Sequence, residues 1–181
     1  MSDKLYNDAE NYKELINTYI NHNDREIKGF FYDHSWLSNF YVSPVYFDGV
    51  LYPSSECAYQ AAKFEQHKRC IFERCSPDES KKIVRYAMKS PDSELHHSFL
   101  YDEKEWDGIK YEIMSCIVFD KFYRNKGLRL FLLNTGNKYL EETNHWSDFV
   151  WGVDYKSKRG SNWLGHILMN TREFWKNKPL E

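Results

Sequence analysis

A two-residue turn that runs at once into a helix start constrains this chain more than any other feature. Val45-Tyr46-Phe47 and Val50-Leu51-Tyr52 flank Asp48-Gly49, and a hairpin turn of that length needs positive φ at its central residues, which Asp-Gly accepts. Pro53 ends the second run, and Ser54-Ser55 offers an N-cap for a helix through Glu56 to about Gln66. A second aromatic run, Phe30-Phe31-Tyr32, is expected to join the hairpin in a small, mostly antiparallel sheet.

Most of what remains reads as helix. Ser76-Pro77-Asp78-Glu79 is a capping box with proline at the first helical position, and Ser90-Pro91 marks the stop beyond Met88. Ile109, Ile113, Cys116 and Ile117 predict a long helix from Trp106 to about Tyr123. Leu128, Phe131 and Leu132 predict another, ended by Gly136, and Leu164, Ile167, Leu168, Thr171 and Trp175 predict the last. Tyr12, Leu15, Ile16, Tyr19 and Ile20 form an amphipathic stripe over residues 8–22, and Asn21 to Lys28 reads as a polar linker. The expectation is α+β, helix-dominated: an N-terminal extension with linker over residues 1–28, then one domain over 29–181.

Composition narrows the function classes. With 181 residues, 41% of them hydrophobic, the chain can bury one core. No long apolar run and no export-like N-terminus occur, so a cytoplasmic protein without a membrane partner is expected. A net charge of −2 speaks against a broad basic face for nucleic acid but leaves room for a few local cations around a small phosphorylated ligand. Cys57, Cys70, Cys75 and Cys116 form no CxxC pair and are expected reduced and mostly buried; His96-His97 is a poor metal clamp because adjacent side chains diverge. No metal and no cofactor are expected.

Two constellations carry chemistry. In Ser55-Glu56-Cys57-Ala58-Tyr59-Gln60-Ala61-Ala62-Lys63, helical spacing aligns Glu56, Gln60 and Lys63 on one side. A first-turn carboxylate favoured by the helix dipole suits a base or a steadying anion; the plain alternative is ordinary helix chemistry on a solvated face. The second, Asp148 to Gly165, joins an acid, Trp151, Gly152, Gly160 and the cations Lys156, Lys158 and Arg159 ahead of a helix start. A phosphate could dock there and Trp151 could stack on a heterocycle, or the glycines serve a turn, the tryptophan the core and the cations the solvent. Trp106, near a helix start, reads on spacing alone as a core anchor. Together the two segments hold what sugar cleavage needs: a carboxylate near an oxocarbenium-like centre, and groups that help a nitrogen leaving group depart.

In order along the chain, Phe31-Tyr32, Leu37-Ser38-Asn39-Phe40, Asp48-Gly49, Tyr52 to Glu56, Tyr59-Gln60-Ala61-x-Lys63-Phe64, Trp106, Asp148-x-x-Trp151-Gly152 and Gly160-x-Asn162-x-Leu164-Gly165 to Arg172 resemble the YbiA/NADAR family over about residues 29–175. The resemblance implies an N-glycosidase acting on phosphorylated ribosylaminopyrimidine intermediates of riboflavin synthesis, or removal of ADP-ribose from modified guanine bases in nucleic acid. It places the family's acid at Glu56, its helix-leading tryptophan at Trp106 and its Asp-x-x-Trp pair at Asp148 and Trp151. Lys63 and Asn39 match positions suited to phosphate and ribose. The chain departs from the family pattern at Val153-Asp154-Tyr155-Lys156, where a more glycine-rich stretch is expected, and this bears on substrate choice.

The combined expectation names Glu56, Asp148 and Trp106 as catalytic. Phe31, Asn39, Phe40, Tyr59, Lys63, Trp151, Gly152, Arg159 and Asn162 are expected to bind substrate, with Trp106 and Trp151 sandwiching the base and Lys63 and Arg159 holding phosphate. Rival expectations are a nucleotide or ADP-ribose reader without turnover, and a helical interaction protein whose polar motifs lie scattered on the surface. The oligomeric state is not encoded in any motif.

Overall fold

The Asp48-Gly49 turn forms as its chemistry requires, with φ of 47° and 84°. It joins β2 (Val42–Phe47) to β3 (Val50–Ser54) in an antiparallel pair, and β3 passes directly into α1 (Ser55–Ala61), capped by Ser54 Oγ accepting from Cys57 N at 3.2 Å. The computed structural model describes residues 25–178; the stripe over residues 8–22 lies outside them.

Capping chemistry sets the longer helices. Ser76 opens α2 (Pro77–Lys89) with both hydrogen bonds of its box: Ser76 Oγ accepts from Glu79 N, and Glu79 Oε2 accepts from Ser76 N. After the one-turn α3 (Glu94–His97), Asp102 and Glu105 form a second box at the start of α4 (Glu103–Arg124), so this helix begins a turn earlier than its apolar spacing suggests. Asn125 joins α4 to α5 (Lys126–Asn134), donating to Lys121 O and Pro44 O, and Gly136 at φ 64° turns the chain away. β4 (Tyr139–Glu141), β5 (Thr143–Asn144), β6 (Val153–Asp154) and α6 (Trp163–Lys176) complete the described chain.

The α+β, helix-rich expectation holds, while the strands resolve into three separate pairs. Among the strands of the described residues only the β2–β3 pair is antiparallel; β1 (Glu26–Lys28) pairs parallel with β4, and β5 pairs parallel with β6. The stretch read as a linker therefore ends in a strand, because Ile27 buries itself opposite Leu140 while Glu26 and Lys28 pair outside at 3.1 Å. The run Phe30 to Tyr32 does not join a sheet. Gly29 at φ 74° and Tyr32 at φ 45° break the extended path, and a 3₁₀ turn follows over Tyr32–Leu37. The helix from Glu56 is also shorter than expected: after Ala61 the chain turns, and Phe64 bridges to Phe99.

α1 is the centre of the molecule. All of its residues are buried, and it packs against β2, β3, α2 and α4. Around it, Leu37, Val45, Tyr52, Phe64, Met114, Ile117, Phe122, Leu140, Leu164 and Leu168 fill one core, where each large apolar side chain stabilises by roughly 1.5–3 kcal/mol. The four cysteines are free, but only Cys57 is buried; Cys70 and Cys116 lie exposed on outward helix positions. His97 is exposed, whereas His96 tucks its ring against Phe99 and places Nδ1 3.0 Å from Ala87 O. Among the described residues no helix is long and apolar enough to cross a membrane, and no metal-ligating cluster occurs.

Candidate active site

Because α1 is enclosed on every side, its polar ladder is not the solvated face that spacing alone allowed. Glu56 is 7% exposed. Gln60 Nε2 donates to Glu56 Oε1 at 2.6 Å, and Lys63 Nζ donates to Gln60 Oε1 at 2.7 Å. A carboxylate and an ammonium at the two ends orient the amide between them, since only its nitrogen donates and only its oxygen accepts. Burial pushes the Glu56 carboxyl above the usual range; Gln60, Lys81 and Lys63 pull it back, and the negative charge of Asp148 pushes it up again. Burial likewise lowers Lys63 to about 8, against the attraction of Glu56.

Asp148 sits on the loop between β5 and β6. Asn144 grips its backbone in both directions, donating through Nδ2 to Asp148 O (2.8 Å) and accepting at Oδ1 from Asp148 N (3.0 Å). Asp148 Oδ1 in turn accepts from Val150 N and Trp151 N, and Ser147 just ahead stands at φ 63°. A non-glycine residue held in the left-handed region beside an acid is the kind of strain that functional loops keep. Gly152 follows by necessity: a Cβ there would collide with Glu142 O and lie 2.8 Å from Asn144 Nδ2. Its missing side chain lets the acid loop pack against Glu142 and Asn144.

Two cavities adjoin this group of charges, one lined by Asp148 and the other by Lys81 and Glu142. The narrower, about 610 Å³, is lined by Tyr59, Lys63, Trp106, Lys110, Asp148 and Trp151 among others. Tyr59 bridges the two indoles, 5.2 Å from Trp106 and 5.3 Å edge-on to Trp151, with Lys63 Nζ over the Tyr59 and Trp106 rings. Tyr59 thus packs against both of the tryptophans expected to hold the base. The wider cavity, about 890 Å³, carries Phe31, Tyr32, Phe40, Tyr41, Trp146, Lys81 and Glu142. Glu56 interacts electrostatically with Lys81 of the wider cavity and with Lys63 and Asp148 of the narrower.

The remaining expected contacts divide. Phe31 and Phe40 line the wider cavity, while Asn39 stands behind it, 6% exposed, its Nδ2 3.3 Å from Met114 Sδ and its backbone O accepting from Glu56 N. Arg159 is exposed with Lys156 and Lys158 in one solvated run and is not among the residues lining either cavity. At φ 47° ahead of α6, Asn162 is 2% exposed and fully engaged inside, accepting from Glu142 N and donating to Leu140 O and Tyr139 OH. Asn162→Ala is expected to destabilise the fold by about 1–3 kcal/mol in a urea melt, through orphaned buried groups, while KM stays unchanged.

Lys81 and Glu142 were not singled out by their sequence. Lys81 looks like a surface position of a capped helix, and Glu142 follows Glu141 in strands too short to show a period. Their charges meet Glu56 and Asp148 only in the folded chain.

A family model described as the NADAR domain matches residues 24–175. The chain belongs to the NADAR family. The match begins just ahead of β1, which agrees with that strand being part of the NADAR fold. A solved NMR structure of Escherichia coli YbiA superposes with a TM-score of 0.67 at 30% identity, covering 86% of this chain and 87% of that one. Over 144 residues the chain is 32% identical to the N-glycosidase YbiA of Escherichia coli, covering 78% of this chain and 81% of that protein. It is 34% identical over 142 residues to a riboflavin biosynthesis protein of Vibrio vulnificus, covering 78% of this chain but only 35% of that larger protein.

Proposed function

We infer that this chain is an N-glycosidase, a hydrolase of N-glycosyl bonds, and propose that its substrate is a phosphorylated ribosylaminopyrimidine from which it releases ribose 5-phosphate. The observation that carries this reading is the buried Glu56, braced by Gln60 and Lys63 and within electrostatic reach of Asp148 on the wall of an aromatic cavity. Names of the relatives support the activity, and one of them supports the riboflavin connection.

In the proposed mechanism water attacks the anomeric carbon. Glu56, whose burial raises its proton affinity, takes the proton of that water and faces the developing oxocarbenium charge. Asp148 orients the ribose, Trp106 and Trp151 wall the narrower cavity, and Lys63 meets the phosphate there. Lys81 replaces Arg159 as the second cation near the acids. A reader without turnover fits less well, because clustered carboxylates repel a phosphorylated ligand unless they do chemistry.

Two expected results follow from Lys63. Lys63→Met raises KM for a phosphorylated riboside more than for a riboside without phosphate, the smaller common effect coming from the loss of the brace on Gln60 and Glu56. In the wild type, KM for the phosphorylated substrate rises as pH climbs through about 8, because Lys63 is cationic below that value and neutral above it.

One observation favours the second reading, removal of ADP-ribose from a modified guanine. The wider cavity is large and aromatic, with room that a single pyrimidine leaves mostly empty. Incubating the protein with a ribosylaminopyrimidine 5′-phosphate and, separately, with an ADP-ribosylated guanine oligonucleotide decides between them. Ribose 5-phosphate from the first alone supports the riboflavin reading, ADP-ribose from the second alone supports the other, and binding without release overturns both.

A further inference from the structure

Of the acids gathered at this site, Glu142 is the one that neither spacing nor the mechanism above has used. It follows β4 directly, its backbone N–H is fixed by Asn162 Oδ1 at 3.0 Å, and it lines the wider aromatic cavity beside Lys81. Its Oε2 is sealed from solvent and has no hydrogen-bond partner among the described residues. A buried carboxyl oxygen left without a partner is costly unless a ligand completes it. The cavity it lines offers flat aromatic walls from Phe31, Phe40, Tyr41 and Trp146, suited to a planar heterocycle.

We propose that Glu142 is a second catalytic acid, which protonates a nitrogen of the departing heterocycle held in the wider cavity. The proposal rests on the N-glycosidase reading. In the step, the bond between the anomeric carbon and nitrogen breaks, its electron pair stays on nitrogen, and Glu142 gives that nitrogen its proton. Water forms the new carbon–oxygen bond and its proton goes to Glu56. The sum is hydrolysis, and proton exchange with solvent returns both acids to their starting forms.

The surroundings keep Glu142 ready to donate. Burial, then the negative charges of Asp148 on the β5–β6 loop and Glu56 on α1, raise it to about 8; Lys81 of α2 and Lys121 of α4 pull the other way. At pH 7 the Glu142 carboxyl therefore holds its proton, while at Glu56 Gln60 and two lysines favour the anion against burial. A carboxyl kept protonated by burial and by neighbouring negative charge can serve as a proton donor at neutral pH.

The test compares leaving groups in wild type and Glu142→Gln. One substrate is an aminopyrimidine riboside 5′-phosphate, whose nitrogen needs a proton; the other is 4-nitrophenyl ribofuranoside 5′-phosphate, whose leaving group departs without one. The expected result is a loss in kcat of about 10²–10⁴-fold on the first with the second little affected, and an alkaline limb of kcat near pH 8 that the variant lacks. Equal losses on both substrates, or no loss on either, would overturn the role of Glu142 and leave the N-glycosidase reading standing. A wild type that cleaves neither substrate would overturn both.

Folding of the variant is checked by its melting temperature. The folded chain holds this proton between the ordinary carboxyl range and about 8, so wild-type stability falls as pH rises through that window. Glu142→Gln lacks that fall, and should melt above wild type at pH 9 and close to it at pH 4.

Discussion

Replacing Glu56 by glutamine is expected to lower kcat/KM for N-glycoside hydrolysis by about 10³-fold, the usual worth of a positioned acid–base group. The fold should survive, because the new amide oxygen can still accept from Gln60 Nε2 where Glu56 Oε1 does now. Stability is expected to hold or rise, since the variant removes a carboxyl that burial already disfavours as an anion. Single-turnover kinetics with the aminopyrimidine riboside 5′-phosphate, read beside a urea melt, separates the two effects. Near-normal turnover in a folded variant would remove Glu56 from the mechanism.

Gly152→Ala is expected to act on stability and catalysis together. The added methyl group meets Glu142 O and the Asn144 amide, and backbone does not yield as a flexible side chain would. Overpacking of this kind costs about 1–3 kcal/mol. The loop that must shift to relieve it carries Asp148, whose backbone Asn144 holds from both sides. A displacement near 1 Å in a group that orients substrate can cost about 10²-fold in rate. Chemical denaturation and kcat measured on one preparation test this, and an unchanged midpoint would show that the loop relaxes freely.

Local chemistry is what the sequence disclosed best. Asp48-Gly49 and the box opening with Ser76 are decided by a few adjacent residues, so they could be read before any tertiary contact was known. The ladder Glu56, Gln60, Lys63 was also visible, but its burial was not. Periodicity says which residues share a face and is silent on what covers it, and here β2, β3, α2 and α4 close around one short helix. Arg159 follows Trp151 and Gly152 closely in sequence, yet it lies in an exposed run outside the lining of both cavities, because sequence proximity does not fix which side of a loop faces a pocket. Asn162 misled because its polar side chain satisfies β4 and Glu142 N instead of a ligand. Lys81 and Glu142 were hidden because their charges reach Glu56 only when residues distant in sequence come together.

The parallel pairing of β1 with β4 sets how this protein should be cut. Tyr139 N donates to Arg25 O and Gly29 N to Glu141 O, so residues 25–29 hold the strand that leads directly into Glu142. A shortened version beginning at Gly29 would strip that strand of its neighbour, whereas one beginning ahead of Arg25 keeps it. Truncation from the N-terminal side therefore keeps the support of the strand ahead of Glu142 only when β1 is left whole.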